Sequence, residues 1–262
     1  MTVNPLRTAW AENRPTLNGW LSIGSSFAAE IMADQGYDSI GIDLQHGVVD
    51  YSAALGMLQA MRASDVTPLV RVHWLDAGII MKSLDAGAMG IICPMINTGD
   101  QAAQFVDHVR YPPQGSRSYG PTRAGLVAGP DYWSRANDDI VAFAMVETRQ
   151  ALDNLEAIAA TPGLDGIYVG PADLAFSLSK GRLAPGFDRQ EPEMIAALQR
   201  IASTCHAAGI VAALHCATAE YAARAIDWGF AMTTVSNDVR LLAGASAASV
   251  TRFRELVCKG GN

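Results

Sequence analysis

Eight short apolar runs, each followed by an amphipathic stretch, constrain this chain more than any other feature of its sequence. The runs lie at 17–24, 39–45, 67–73, 90–96, 140–147, 166–170, 210–216 and 230–236. Most are continuously apolar, as in GIICPMI and IVAFAMVE. Parallel strands covered on both faces read this way, whereas a sheet with one wet face alternates. Between the runs, 26–35, 52–63, 100–110, 151–160 and 191–208 carry apolar residues at helical spacing. Gly36, Gly87, Gly163, Gly209 and Gly229 end helical stretches, where a left-handed residue closes a helix. Recurrent AG or QG pairs before the next run mark a repeated βα unit rather than a solenoid.

Eight βα units favour a closed (β/α)8 TIM barrel over an open doubly wound sheet. No GxGxxG follows the first run, which argues against a dinucleotide fold. No linker interrupts the pattern, so the expectation is one barrel domain over residues 1–262. Half of the residues are hydrophobic and 17% are charged. That supplies a large core and leaves apolar surface for another subunit. Residues 111–138 form a long stretch rich in Pro, Gly, Arg and Ser, and connections of that length usually have a function.

Nineteen basic against 26 acidic residues give a formal charge of −7, a poor match to nucleic acid or an anionic membrane. An anionic small molecule stays open, since one arginine or metal ion reverses the field inside a pocket. Cys93, Cys205, Cys216 and Cys258 form no CxxC pair and read as reduced thiols of a cytoplasmic protein. Met1 to Trp10 lacks the pattern of a signal peptide, and no apolar stretch reaches the ~18 residues of a membrane span.

Barrel enzymes place their active sites at the C-terminal ends of the strands. The polar residues ending the runs are therefore the candidates: Asp43, Gln45 and His46; Arg71 and His73; Glu147; Gly170, Pro171 and Asp173; His215; Asn237 and Asp238. Glu147 and Asp173 each follow an apolar run, so both should be partly buried. Two buried carboxylates repel unless a cation lies between them, and a hard ion such as Mg²⁺ or Mn²⁺ suits oxygen ligands. The competing reading pairs each with a structural arginine, or makes Asp173 a helix cap. Asp43 three residues before His46 suits a carboxylate that orients a histidine base, against a plain loop histidine. Arg71 either bridges structural carboxylates or faces the site and stabilises negative charge on oxygen. In GPADL, residues 170–174, a helix starting after Pro171 would aim the Ala172 and Asp173 amides at a carboxylate or phosphate.

DLQHG (43–47), PLVRV (68–72), YPPQGSRSYG (111–120), MVET (145–148) and VGPADLAFSL (169–178) occur in one order. In that order they resemble the HpcH/HpaI family of class II pyruvate aldolases, over about residues 17–240. The family includes 4-hydroxy-2-oxoheptanedioate aldolase and 2-dehydro-3-deoxyglucarate aldolase. The resemblance implies reversible aldol cleavage of 4-hydroxy-2-oxo acids to pyruvate or hydroxypyruvate and an aldehyde, through a metal-stabilised enolate. It implies Glu147 and Asp173 as ligands of Mg²⁺ or Mn²⁺, with Co²⁺ or Zn²⁺ as further candidates. Arg71 would stand beside the keto oxygen, His46 would be the base with Asp43 as its orienting partner, and Gly170, Pro171 and Ala172 would bed the carboxylate. It also implies a homo-hexamer, a trimer of dimers, that exchanges C-terminal helices; the apolar tail 241–258 suits that role.

Two positions depart from the family or lie outside its clear pattern. Gln45 stands where some members carry Glu, and the loop 121–135 is expected to help shape the aldehyde site. An imine mechanism needs a buried lysine, and Lys82, Lys180 and Lys259 all fall in helical, polar or terminal positions. The alternatives are an oxaloacetate decarboxylase or a CoA-ester lyase on the same site, and a non-catalytic binding barrel. A CoA lyase should show a basic surface for nucleotide phosphates, which the chain lacks. Intact Glu147, Asp173, Arg71 and His46 argue against the binding protein.

Overall fold

A computed structural model describes residues 4–259; the ends of the 1–262 span lie outside the described residues. The eight expected runs all form strands: β1 Thr16–Leu21, β2 Ser39–Asp43, β3 Thr67–Arg71, β4 Gly90–Cys93, β5 Val141–Val146, β6 Gly166–Val169, β7 Val211–Cys216 and β8 Met232–Val235. Neighbours pair in parallel, and β1 closes on β8 through Thr16↔Met232, so the sheet is a barrel in sequence order. Most of the apolar runs overshoot the strands at their C-terminal ends: run 67–73 stops being strand at Arg71, and run 90–96 at Cys93. There the chain leaves the ladder but stays covered by the rim, so apolarity persists where pairing ends.

The barrel residues divide into two layers. Trp20, Leu69, Ile92, Phe143, Met145, Tyr168, Ala213 and Met232 point inward and pack together. Their neighbours, such as Ile40, Ile42, Val70, Ala142, Ala144 and Leu214, face the helices. Side chains alternate between these faces along each strand. Both faces are dry, which is why the runs show no polar alternation. Leu6, on the helix Pro5–Ala11, plugs the floor, with Trp10 edge-on to Phe143 at 5.8 Å. Asn4 caps that helix and donates to the carbonyls of Met89 (3.2 Å) and Asp139 (2.8 Å), which fixes the plug to the barrel's lower edge.

The five turn glycines adopt φ between +70° and +103°, the left-handed region that only Gly enters without strain. The stretch 151–160 is two short helices, Arg149–Asp153 and Leu155–Ala159. The long 111–138 segment is not a bare connection, since it contains the helices Thr122–Ala128 and Tyr132–Asp139. Arg117 holds it down. Its guanidinium lies 4.3 Å from the Tyr111 ring and pairs with Asp85 at 2.7 Å. The C-terminal helix Asp238–Lys259 leaves the barrel with Leu242, Phe253, Leu256 and Val257 exposed. No helix among the described residues is long and apolar enough to cross a membrane.

Candidate active site

A cavity of about 380 Å³ opens at the C-terminal ends of the strands. Asp43, His46, Arg71, Glu147, Gly170, Pro171, Ala172, Asp173, His215 and Asn237 all line it, so the fold gathers residues that are up to 194 positions apart, from Asp43 to Asn237. His73 and Gln45 are not among the lining residues. Asp238 is structural: its carboxylate accepts the backbone N–H groups of Ser22, Ile23 and Val239, tying the end of β1 to the C-terminal helix. None of residues 121–135 lines the cavity of their own chain. The expectation that this loop shapes the aldehyde site therefore fails within one subunit.

Asp43 corrects the expected partnership. It ends β2 directly beside Arg71, which ends β3. Arg71 donates Nε to Oδ1 at 2.9 Å and Nη2 to Oδ2 at 2.6 Å, a two-pronged clamp. Oδ1 also accepts the backbone N–H groups of Gln45 and His46, both at 3.1 Å, and Oδ2 accepts Trp20 Nε1 at 3.3 Å. Burial pushes the Asp43 carboxyl up, but the Arg71 bonds and charge outweigh it and leave the group below its ordinary range. Asp43 thus orients Arg71 and the backbone of the His46 turn, not the His46 ring. His46 itself is exposed at the rim.

Glu147 and Asp173 behave differently from that pair. Glu147 is 2% exposed, and its Oε1 accepts the Met95 N–H at 2.8 Å. Met95 sits at φ +58°, a left-handed conformation unusual for its type, at the very residue whose amide meets the carboxylate. Burial pushes the Glu147 carboxyl up to about 7, with the Asp173 charge adding to it, while the Met95 bond and Arg71 pull the other way. Asp173 sits in the first turn of the helix Pro171–Leu178 and is exposed, contrary to the expected burial. Neither carboxylate has a salt-bridge partner among the described residues. A Cβ on Gly170 would collide with Glu147 Oε2, so glycine there is what lets the helix start approach the buried acid.

These residues fit a hard divalent cation: two carboxylates on one cavity, with the Asp173 charge felt at the buried Glu147, and no salt-bridge partner for either among the described residues. Among the described residues no group of three or more His, Cys, Asp or Glu side chains forms a metal cage, so a cation here would have to draw further oxygens from substrate or solvent.

Sequence reasoning missed one wall of the cavity: Trp20, Tyr168, Phe187 and Arg240. His215 stacks on Phe187 at 4.8 Å, Trp20 meets it edge-on at 4.9 Å, and Arg240 covers Phe187 at 4.7 Å. Trp20 and Tyr168 were hidden inside apolar runs; an aromatic with a polar tip in such a run is the one available signal. Among the described residues no lysine lines the cavity; Lys82 lies over the Tyr51 ring at 5.1 Å.

A parallel barrel with an arginine clamp and two acids lacking an ion-pair partner among the described residues, all at the carboxyl edge, has the form of a barrel enzyme with its site at the usual rim. The sequence profile of the HpcH/HpaI aldolase/citrate lyase family matches residues 19–245, and the chain belongs to that family. It is 37% identical to a hydroxypyruvate/pyruvate aldolase of Rhizorhabdus wittichii, covering 97% of this chain and 100% of the relative. It is 33% identical to a 4-hydroxy-2-oxo-heptane-1,7-dioate aldolase of Shigella flexneri, covering 95% of this chain and 93% of that one. The crystal structure of an HpcH/HpaI aldolase/citrate lyase family protein from Burkholderia cenocepacia superposes with a TM-score of 0.89 at 33% identity, covering 96% of this chain and all of the other.

Proposed function

We propose that this protein is a carbon–carbon lyase, an aldolase that joins or splits the bond between C3 of a pyruvate-type 2-oxo acid and an aldehyde carbon. The observation that carries this reading is the contrast inside one cavity between the clamped Arg71–Asp43 pair and the unpaired acids Glu147 and Asp173. Glu147 and Asp173 would hold Mg²⁺ or Mn²⁺, with Co²⁺ or Zn²⁺ as alternatives, and the ion would supply Lewis acidity toward the keto oxygen.

The remaining work falls to the chain itself. The amides at the start of the helix Pro171–Leu178, after Gly170, bed the substrate carboxylate; those of Ala172 and Asp173 are free of intrahelical partners. Asp43 fixes the Arg71 guanidinium so that its remaining N–H groups meet the keto oxygen and stabilise charge as C3 loses its proton. His46, at the solvent edge of the cavity, carries that proton away and returns one to the aldehyde oxygen as the new bond forms.

The exposed apolar residues of the helix Asp238–Lys259 support a homo-hexamer, a trimer of dimers with that helix exchanged, and the reduced-cysteine pattern supports a cytoplasmic location. Light scattering that gives a monomer mass would remove the hexamer.

The test of the activity is chelation. Treatment with a chelator should abolish aldol cleavage and Mg²⁺ or Mn²⁺ should restore it; full turnover in chelator would end the metal reading. Formation of a 4-hydroxy-2-oxo acid from pyruvate and an aldehyde separates this chemistry from decarboxylation, which reaches the same enolate but joins no aldehyde to it.

A further inference from the structure

A chain of buried hydrogen bonds rises through the barrel interior and ends on the cavity. Ser39 Oγ donates to Asn18 Oδ1 at 2.7 Å, and Asn18 Nδ2 donates to Thr234 Oγ1 at 2.9 Å. Thr234 Oγ1 lies 2.6 Å from Tyr168 Oη, and Tyr168 Oη lies 3.1 Å from His215 Nδ1. All five residues are buried, and Asn18, Ser39, Tyr168 and Thr234 are fully so. The protein has brought polar groups from five strands into a place where an unsatisfied hydrogen costs roughly 1–3 kcal/mol.

Counting hydrogens fixes the direction of this chain. Ser39 Oγ has two acceptors in reach, Asn18 Oδ1 at 2.7 Å and the weaker Met232 Sδ at 3.9 Å; its hydrogen goes to the nearer oxygen, so the Asn18 amide nitrogen faces Thr234 and donates. Thr234 Oγ1 has one hydrogen of its own and one remaining side-chain partner, Tyr168 Oη. Satisfying that hydrogen requires Thr234 to donate to Tyr168, and Tyr168 in turn to donate to His215 Nδ1. Nδ1 is then the bare nitrogen. Burial holds the ring neutral, with its pKa pushed down to about 3 and the Arg71 charge acting in the same direction. A neutral ring with a bare Nδ1 carries its proton on Nε2. Nε2 has no partner among the described residues and is not a buried orphan, so it opens to the cavity His215 lines. Phe187 stacked on one face and Trp20 edge-on prevent the ring from turning away.

The position of this N–H decides what it meets. In an eight-strand ring β7 stands opposite β3, so His215 faces Arg71 across the cavity. His215 is deep, 9% exposed, whereas His46 and Asp173 are at the open rim. A 2-oxo acid lying between Arg71 and the helix start therefore has the His215 ring as the wall opposite Arg71, with the rim above open to the aldehyde. We propose that His215 is a substrate-contacting residue whose Nε2–H donates to a hydroxyl on C3 of the donor, so that the site selects hydroxylated 2-oxo acids such as hydroxypyruvate over pyruvate. Tyr168, Thr234 and Asn18 are positioning residues that hold it in the donating tautomer. The inference rests on the aldolase reading above.

The experiment compares kcat/KM for hydroxypyruvate and pyruvate, with glycolaldehyde as the common acceptor and Mg²⁺ present. His215→Phe should lower the hydroxypyruvate-to-pyruvate ratio by about tenfold, the scale of one lost hydrogen bond to a hydroxyl. His215→Gln, which keeps a donor, should retain most of the preference, and Tyr168→Phe should lose part of it while leaving His215 in place. Nitrogen-15 NMR of histidine-labelled protein reads the tautomer without turnover: His215 should be protonated on Nε2 in the native protein and mixed in Tyr168→Phe. An unchanged ratio in His215→Phe, or a proton on Nδ1, overturns this inference and leaves the aldolase reading standing. Failure of the native protein to join either donor to the aldehyde brings down the aldolase reading, and the inference with it.

Discussion

The two ends of this barrel each hold a cluster of arginines and acids, and they are finished differently. At the floor, Asp165 receives Arg7 at 2.7 Å and Arg110 at 2.6 Å, and also accepts the Ala142 N–H. Arg110 adds bonds to the carbonyls of Asn137, Ile140 and Gly163. A cavity of about 850 Å³ opens there, larger than the one at the carboxyl edge, yet the charges of Arg7, Arg110 and Asp165 are spent on one another. At the carboxyl edge only Arg71 and Asp43 are mutually satisfied, and Glu147 and Asp173 are left without a cation. The smaller cavity is the one proposed to be reactive. Incomplete pairing, rather than volume, separates a site from a structural knot.

Substitutions at the two ends should separate these roles. The largest effect is expected from Arg71→Lys, which replaces a planar fork with a point charge. Turnover should fall by roughly 10³ with the fold intact by circular dichroism; near-normal turnover would make Arg71 another structural arginine and erase the contrast. Next is Arg110→Ala at the floor, which leaves the half-buried Asp165 with Arg7 alone and takes the donor from the carbonyls of Asn137, Ile140 and Gly163. Denaturant unfolding should show a loss of about 2–3 kcal/mol, with kcat per folded molecule unchanged. Loss of activity without loss of stability would mean that the floor also takes part in catalysis. The smallest effect is a slope with pH. A metal ion needs Glu147 ionised, and its folded pKa is raised to about 7. Below pH 7 binding must expel a proton, so calorimetric affinity for Mn²⁺ should weaken about tenfold per pH unit and level off above 7. The same shift gives the metal-free protein a contribution to stability that is complete below about 4.5 and fades as pH rises through 7. Glu147→Gln should remove that dependence.

The strands were legible because two dry faces leave a continuous apolar run, and the turn glycines because their backbone region excludes other residues. Residue identities at the strand ends were legible for the same reason, since a polar group closing an apolar run has few places to go. What was not legible is adjacency across the ladder. Spacing of three linked Asp43 to His46, but the register Asp43↔Arg71 decided the contact. The relay to His215 depends on His215↔Thr234 and on β6 lying beside β7, relations no local window contains. The exposure of Asp173 was misjudged because the strand ends at Val169 and a helix has begun by the time the chain reaches it.

The Asp238 carboxylate has a mechanical consequence. One side chain grips Ser22 and Ile23, two and three residues beyond Trp20, and also the first turn of a helix whose apolar flank is bare. Asn237 and Arg240 on either side of that grip form part of the cavity wall. A neighbour seated against that flank would bear on the wall through the same carboxylate, which would join quaternary assembly to substrate fit at one hinge pin.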